Sequence, residues 1–168
     1  MIKALDKKAV LAAFLLGLAT IAGAWSSQIW GGLVPCDLCW GQRVPYYWGL
    51  PVLAAVLVLW NRLPLTVWYI AIAVAVAIFA WGVYLGGYHA GVEYGWWPGP
   101  THCTGLGEGG ITFQDVQNFG GPRVVPCDKV QFQLMGISLA GFNTLISAAI
   151  VVLLGVAAWF QATRVKRS

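Results

Sequence analysis

Charge is what this 168-residue chain has least of. Charged side chains make up 10% of it, where soluble domains carry about a quarter. So few cannot cover a water-facing surface. With 59% hydrophobic residues and a mean hydropathy of +0.72, the composition excludes an ordinary soluble domain and points to a membrane protein. Acidic residues are scarcer than basic ones, six against ten. A basic excess can signal nucleic acid, but here Lys3, Lys7, Lys8, Arg164, Lys166 and Arg167 flank apolar runs. That placement is a topology signal, and no nucleic-acid partner is expected. Motifs for haem, flavin or nucleotide are also missing: the Gly-rich stretches fall in one polar connection and follow no strand. No internal repeat is visible.

What is there is apolar sequence in four runs, at about 9–30, 44–60, 65–85 and 134–160. A bilayer crossing takes about 20 residues. The runs predict an all-α membrane protein, a four-transmembrane-helix bundle forming a single integral membrane domain over 1–168. The second run is short and carries Pro45 and Pro51, which would kink it or delay its start. The fourth is long enough to tilt or to begin in the interface. The first has a rival reading as a signal peptide, with Ala22-Gly23-Ala24 as a cleavage site. Its apolar core continues past that site to Ile29 and Trp30, which favours a span. Both tails are basic, whereas residues 26–35 contain no Lys or Arg. The positive-inside rule then puts both termini in the cytoplasm and the loops at about 31–43 and 86–133 outside. In the long loop Trp96 and Trp97 suit the headgroup region. Residues 111–119 place Phe113, Val116 and Phe119 on one helical face, predicting a short membrane-parallel helix.

The four cysteines, Cys36, Cys39, Cys103 and Cys127, all lie outside the most apolar runs and on this outer side. That suits two disulfides in an oxidising compartment, although four cysteines allow three pairings. Cys36 and Cys39 form a Cys-x-x-Cys before the second run. If a helix begins there, its N-terminal dipole and Arg43 would both favour a thiolate. Redox chemistry is the preferred reading. A structural disulfide is the alternative, and so is half a zinc site completed by His89, His102, Cys103 or Cys127. The second pair lacks zinc-finger spacing, so no metal is expected. Cys103 and Cys127 lie in a glycine-rich loop, as either a plain staple or a disulfide that exchanges partners. Arg43 at the start of an apolar run is either a snorkelling cation or one held near a thiolate or a polar cofactor head, and the second reading is favoured. Trp40 reads as an interface anchor. His89 and Glu93, four residues apart, read as a solvated interface pair. His102 reads as a bystander. Gly136, Ser138, Gly141, Asn143, Thr144 and Ser147 read as helix-packing positions in the fourth run. Electrons leaving a reduced pair need an acceptor, and a lipid-soluble quinone is the economical one.

The run Pro35-Cys36-Asp37-Leu38-Cys39-Trp40-Gly41-Gln42-Arg43 resembles DsbB, the bacterial disulfide bond formation protein B family. The resemblance continues through Tyr88-His89-Ala90-Gly91-Val92-Glu93, Trp97-Pro98-Gly99-Pro100, Cys103, Cys127 and 136–143. It implies a multi-pass protein of the bacterial inner membrane with periplasmic cysteines. Such a protein is a protein-disulfide:quinone oxidoreductase that reoxidises a periplasmic DsbA-like thioredoxin-fold oxidase and passes electrons to ubiquinone or menaquinone. By the same resemblance, the catalytic residues are Cys36, Cys39, Cys103 and Cys127. Cys103–Cys127 would meet the partner, Cys127 would exchange with Cys36, and Cys39 would face the quinone together with Arg43 and His89. The competing readings are a quinone reductase of the vitamin K epoxide reductase type, whose Cys-x-x-Cys comes late in the bundle, and a four-span scaffold with structural disulfides.

Overall fold

A computed structural model describes residues 5–100 and 126–165. In chain order these form helices α1 (Leu5–Ile29), α2 (Asp37–Gly41), α3 (Val44–Val58) and α4 (Leu65–Glu93), a hairpin of β1 (Gln133–Leu134) and β2 (Ile137–Ser138), and helix α5 (Leu139–Val165). Long apolar runs become helices because a lipid environment offers no partner for open N–H and C=O groups. Among the described residues three helices, α1, α4 and α5, are long and apolar enough to cross a membrane. Helix α3 has 15 residues, or about 22 Å at the usual rise per residue. Pro45 sits in its first turn, where a missing N–H leaves no bond unmade.

The four longer helices close into a ring in which α1 packs on α3 and α5, and α4 packs on α3 and α5. One apolar cluster fills the centre, with Val10 and Ala13 from α1, Leu53 and Val56 from α3, Ala75 and Phe79 from α4, and Ile150 and Leu154 from α5. Small residues bring the helices close. A Cβ added at Gly86 would stand 2.9 Å from the backbone N of Thr144, and one at Gly82 would stand 3.1 Å from Ser147 Oγ. Lipid gives apolar side chains little reason to hide from it, so this close fit is what holds such helices together.

The element ends differ from the sequence expectation in two places that matter. The third run does not stop at Leu85: α4 continues two turns to Glu93 and ends where Gly95 takes φ +72°, a left-handed stop suited to glycine. The fourth run does not begin at 134. Residues 133–138 form the β1–β2 hairpin, turned by Met135 (φ 53°) and Gly136 (φ 79°), and two successive positive φ values make the tight turn that matches strand twist. Tyr94 clamps this hairpin: its hydroxyl donates to the Gly136 carbonyl (3.1 Å) and accepts from Ser138 N–H (3.2 Å). The expected helix at 111–119 lies outside the described residues.

Candidate functional site

At the end of the bundle where α4 overruns, a second small cluster gathers Cys36, Val92 and Cys127, with Leu38, Cys39 and Tyr88 against them. Cys36 is the N-cap of α2, and its Sγ accepts from the Cys39 N–H at 3.3 Å. A one-turn helix starting at Cys36 brings the two sulfurs to 2.7 Å, both free thiols. Cys127 is fully buried beside them and takes part in a disulfide. Cys103 lies outside the described residues, as does His102. The segment after 126 is tied down at Gln131, whose Nε2 donates to the Val34 carbonyl at 2.8 Å.

The two thiols differ. Cys36 is held down to about 5 from an ordinary 9.0, by the hydrogen bond from Cys39 first and by His89 second, against the cost of burial. Cys39 is pushed up, by donating to Cys36 and by burial. In this state the charge belongs on Cys36.

His89 reaches the cluster because α4 runs past Leu85. Its Nε2 lies 3.7 Å from Cys36 Sγ and 3.2 Å from the Cys127 carbonyl, and its Nδ1 lies 2.5 Å from Gln42 Nε2. The expected solvated pair with Glu93 is therefore a correction. The Nε2–Oε1 separation is 3.9 Å, but the side chains are 3% and 7% exposed. They are buried because α2 and the segment around Cys127 cover that face of α4.

Arg43 is buried. Its guanidinium donates to Gln28 Oε1 (2.8 Å) and the Ala24 carbonyl (3.3 Å), and lies over the rings of Trp40 (4.6 Å) and Trp25 (5.0 Å). Trp40, read as an interface anchor, is thus also one wall of a cation–π sandwich. A cavity of about 380 Å³ opens between α1 and α5, lined by Cys36, Cys39, Arg43 and His89 at one end and by Ile21, Phe142 and Ile146 among its apolar walls. Polar groups at one end and apolar walls beyond fit an amphipathic ring with an apolar tail.

Two polar residues of the site, Gln42 and Tyr46, escaped the sequence reading, and a third, Asn143, was read only as a packing position. Gln42 is buried and joins His89 to Asn143, whose Nδ2 donates to Gln42 Oε1 at 2.8 Å. Tyr46 donates to Asn143 Oδ1 at 2.6 Å. Asn143 does bridge helices, as its place in the fourth run suggested, but it bridges to this site. The available signal was Gln42 itself, a polar residue three positions after Cys39 and hence on its face.

Cys36, Cys39 and His89 present three ligand atoms within 4.8 Å of one another. Zinc with bonds of about 2.3 Å would hold its sulfurs roughly 3.8 Å apart. The 2.7 Å contact is that of sulfurs poised to bond to each other.

Compared with known families, residues 6–157 match the model of the disulfide bond formation protein DsbB. Searches of curated proteins and of solved structures returned no match. With nearly the whole chain matched, the protein belongs to the DsbB family, membrane proteins that generate disulfides by thiol oxidoreduction.

Proposed function

We propose that this DsbB-family protein reoxidises a periplasmic DsbA-like thiol oxidase and passes the two electrons to ubiquinone or menaquinone in the bacterial inner membrane. The observation that carries the reading is Cys36: its sulfur sits within 2.7 Å of Cys39 Sγ, in one buried cluster with the disulfide-bonded Cys127, and on the wall of an apolar cavity.

The chemistry is a relay of exchanges in which each thiolate displaces another. One thiolate of the partner attacks the disulfide that we assign to Cys103–Cys127, bonding to Cys103 and releasing Cys127. Cys127 attacks Cys36 of an oxidised Cys36–Cys39 pair, releasing Cys39 as a thiolate. The partner's second thiolate then displaces Cys103, leaving with its own disulfide. Cys103 recloses onto Cys127 and frees Cys36. The net result is an oxidised partner, an oxidised Cys103–Cys127 pair and a reduced Cys36/Cys39 pair.

A quinone in the cavity supplies the two-electron acceptor that lets Cys36 and Cys39 rejoin. Cys39, Arg43 and His89 would hold its polar ring. Arg43, fixed by Gln28 and two indoles, contributes an immobile cation at the cavity wall. In this reading α3 is the fourth span, both termini are cytoplasmic, and the cysteines face the periplasm.

The test is anaerobic mixing of purified protein, reduced DsbA-like partner and quinone, following quinone absorbance. The absorbance is expected to fall in step with partner oxidation, and Cys39→Ser is expected to abolish it. Normal turnover by Cys39→Ser would sink the role of Cys39, and cysteines that never change redox state would sink the enzyme reading.

A further inference from the structure

The buried hydrogen bonds around His89 form one chain with a fixed direction. Two backbone carbonyls set it, because a carbonyl can only accept. At one end the Cys127 carbonyl faces His89 Nε2 at 3.2 Å, so Nε2 must carry a hydrogen. At the other end the Leu38 carbonyl faces Gln42 Nε2 at 3.4 Å, so that atom is the amide nitrogen. The same amide nitrogen points at His89 Nδ1, 2.5 Å away, which must then accept. Gln42 is itself held: its Oε1 accepts from Asn143 Nδ2, and Asn143 Oδ1 accepts from the Tyr46 hydroxyl. Flipping the Gln42 amide would set oxygen against the Leu38 carbonyl and nitrogen against the Asn143 amide nitrogen, breaking two bonds at once.

We infer that Gln42 is a positioning residue that fixes His89 as the neutral ring with its hydrogen on Nε2, so that His89 serves Cys36 as a hydrogen-bond donor and not as a base. The Nε2–H lies between the Cys127 carbonyl and Cys36 Sγ, at 3.2 and 3.7 Å. It can therefore follow charge as charge appears on Cys36. The only other ring nitrogen is occupied by an amide donor, so a proton from the Cys36 thiol has no lone pair to go to. A charged ring would set Nδ1–H against the Gln42 amide hydrogens. The groups facing the ring are Cys36 from α2 and Glu93 from α4, with Cys39, Arg43, Tyr46 and Lys129 on the same cavity wall. The inference deepens the proposed function: its meaning for exchange at Cys36 rests on that reading, while the tautomer itself does not.

The test is nitrogen NMR of full-length protein in nanodiscs, labelled with ¹⁵N-histidine and carrying His102→Gln so that His89 alone reports. Spectra are taken near pH 8, above the ordinary histidine range of about 6.5. The expected wild-type spectrum has an unprotonated Nδ1 and a protonated Nε2. Gln42→Glu, which replaces the donor by an acceptor of the same shape, is expected to shift Nδ1 to the protonated range. Gln42→Leu is expected to lose the single tautomer. A protonated Nδ1 in the wild-type background overturns the assignment, and this needs no Gln42 variant to fold. A single Nε2–H tautomer persisting in both Gln42 variants overturns the role of Gln42. No outcome depends on turnover, so a protein inactive with dithiol and quinone would refute the proposed function and leave these spectra to decide the tautomer.

Discussion

The two sulfurs of Cys36 and Cys39 are chemically unequal although they are three residues apart. Cys36 collects the Cys39 thiol, the Cys39 N–H and the imidazole of His89, so its thiol falls to about 5, while Cys39 rises by donating to it. This bears on the expectation that Cys39 becomes the thiolate facing a quinone. The largest cause that raises Cys39 is its hydrogen bond to Cys36, and that bond disappears once the Cys36 sulfur is held in a disulfide with Cys127. In the proposed relay the charge therefore sits on Cys39 while Cys36 is bonded to Cys127, and passes to Cys36 once Cys36 is freed. The ultraviolet absorbance of thiolate in the reduced pair should accordingly persist at pH 7 and fall only as pH drops through about 5, and Cys36→Ser should remove it at pH 7. Taken alone, the depressed Cys36 thiol stabilises the folded reduced protein, fully above the ordinary value of 9.0 and less and less as pH falls towards 5, while the raised Cys39 thiol opposes it above 9.0. Thiolate absorbance at pH 7 that survived Cys36→Ser unchanged, or a profile centred near 9, would contradict this. At this scale Cys36, Cys39 and Arg43 were legible because each is an ionisable group beside an apolar run, and His89 only through the family resemblance, its spacing to Glu93 having suggested a solvated pair. Gln42, Tyr46 and Asn143 were not. Asn143 lies 101 residues from Gln42 and 97 from Tyr46, and a pairing across helices leaves no trace in local spacing.

Among the elements, hydropathy located the helices and misplaced their ends. Apolar density stops near Leu85, yet α4 continues through Gly86, Gly87, Tyr88 and His89, of which Gly86 and His89 are buried in the protein. Likewise 134–138 is apolar enough to extend a span but pairs as a hairpin, since Met135-Gly136 makes a turn that a helix cannot contain. Of the fourth-run residues read as packing positions, Thr144 and Ser147 do pack on α4, against Gly86 and Gly82, whereas Gly136 turns the hairpin and Ser138 lies in β2. Gly86→Leu should force α4 off Thr144 and cost about 1–3 kcal/mol, because the added Cβ would lie 2.9 Å from the backbone N of Thr144, which cannot yield. Gly155 on α5 has nothing within 4 Å of its Cβ position, so Gly155→Ala should be neutral or gain up to about 1 kcal/mol in helix propensity. Heat-unfolding midpoints in one detergent compare the two. Equal effects would mean that the α4–α5 seam is not set by close packing.

For the molecule as a whole, the same uneven charge that betrayed a membrane protein is the ground for the proposed orientation. If both termini are cytoplasmic as proposed, a C-terminal green fluorescent protein fusion should fluoresce and a C-terminal alkaline phosphatase fusion should be inactive. The reverse result would invert the proposed topology and remove the cysteines from the periplasm.

At the end of the bundle away from the cysteines, one ion pair joins the first helix to the last. Asp6 is 2% exposed and accepts from Arg164, whose Nη2 also donates to Gln161. The two ends of this bond are unequal. The Arg164 side chain is 36% exposed, whereas that of Asp6 is 3% exposed, so an abandoned arginine can turn to water and an abandoned carboxylate cannot. Removing one partner of a buried pair costs several kcal/mol because the other charge is left unsolvated. The expected order is therefore lopsided: Arg164→Ala should destabilise by about 2 kcal/mol, Asp6→Asn by about 1 kcal/mol or less, and Asp6→Asn with Arg164→Ala by less than Arg164→Ala alone. Unfolding midpoints of the three variants in the same detergent decide it. If Asp6→Asn proved the more damaging, the pair would owe its value to the arginine, and the closure of α1 on α5 would have to be explained by the apolar cluster of Val10, Ala13 and Ile150 instead.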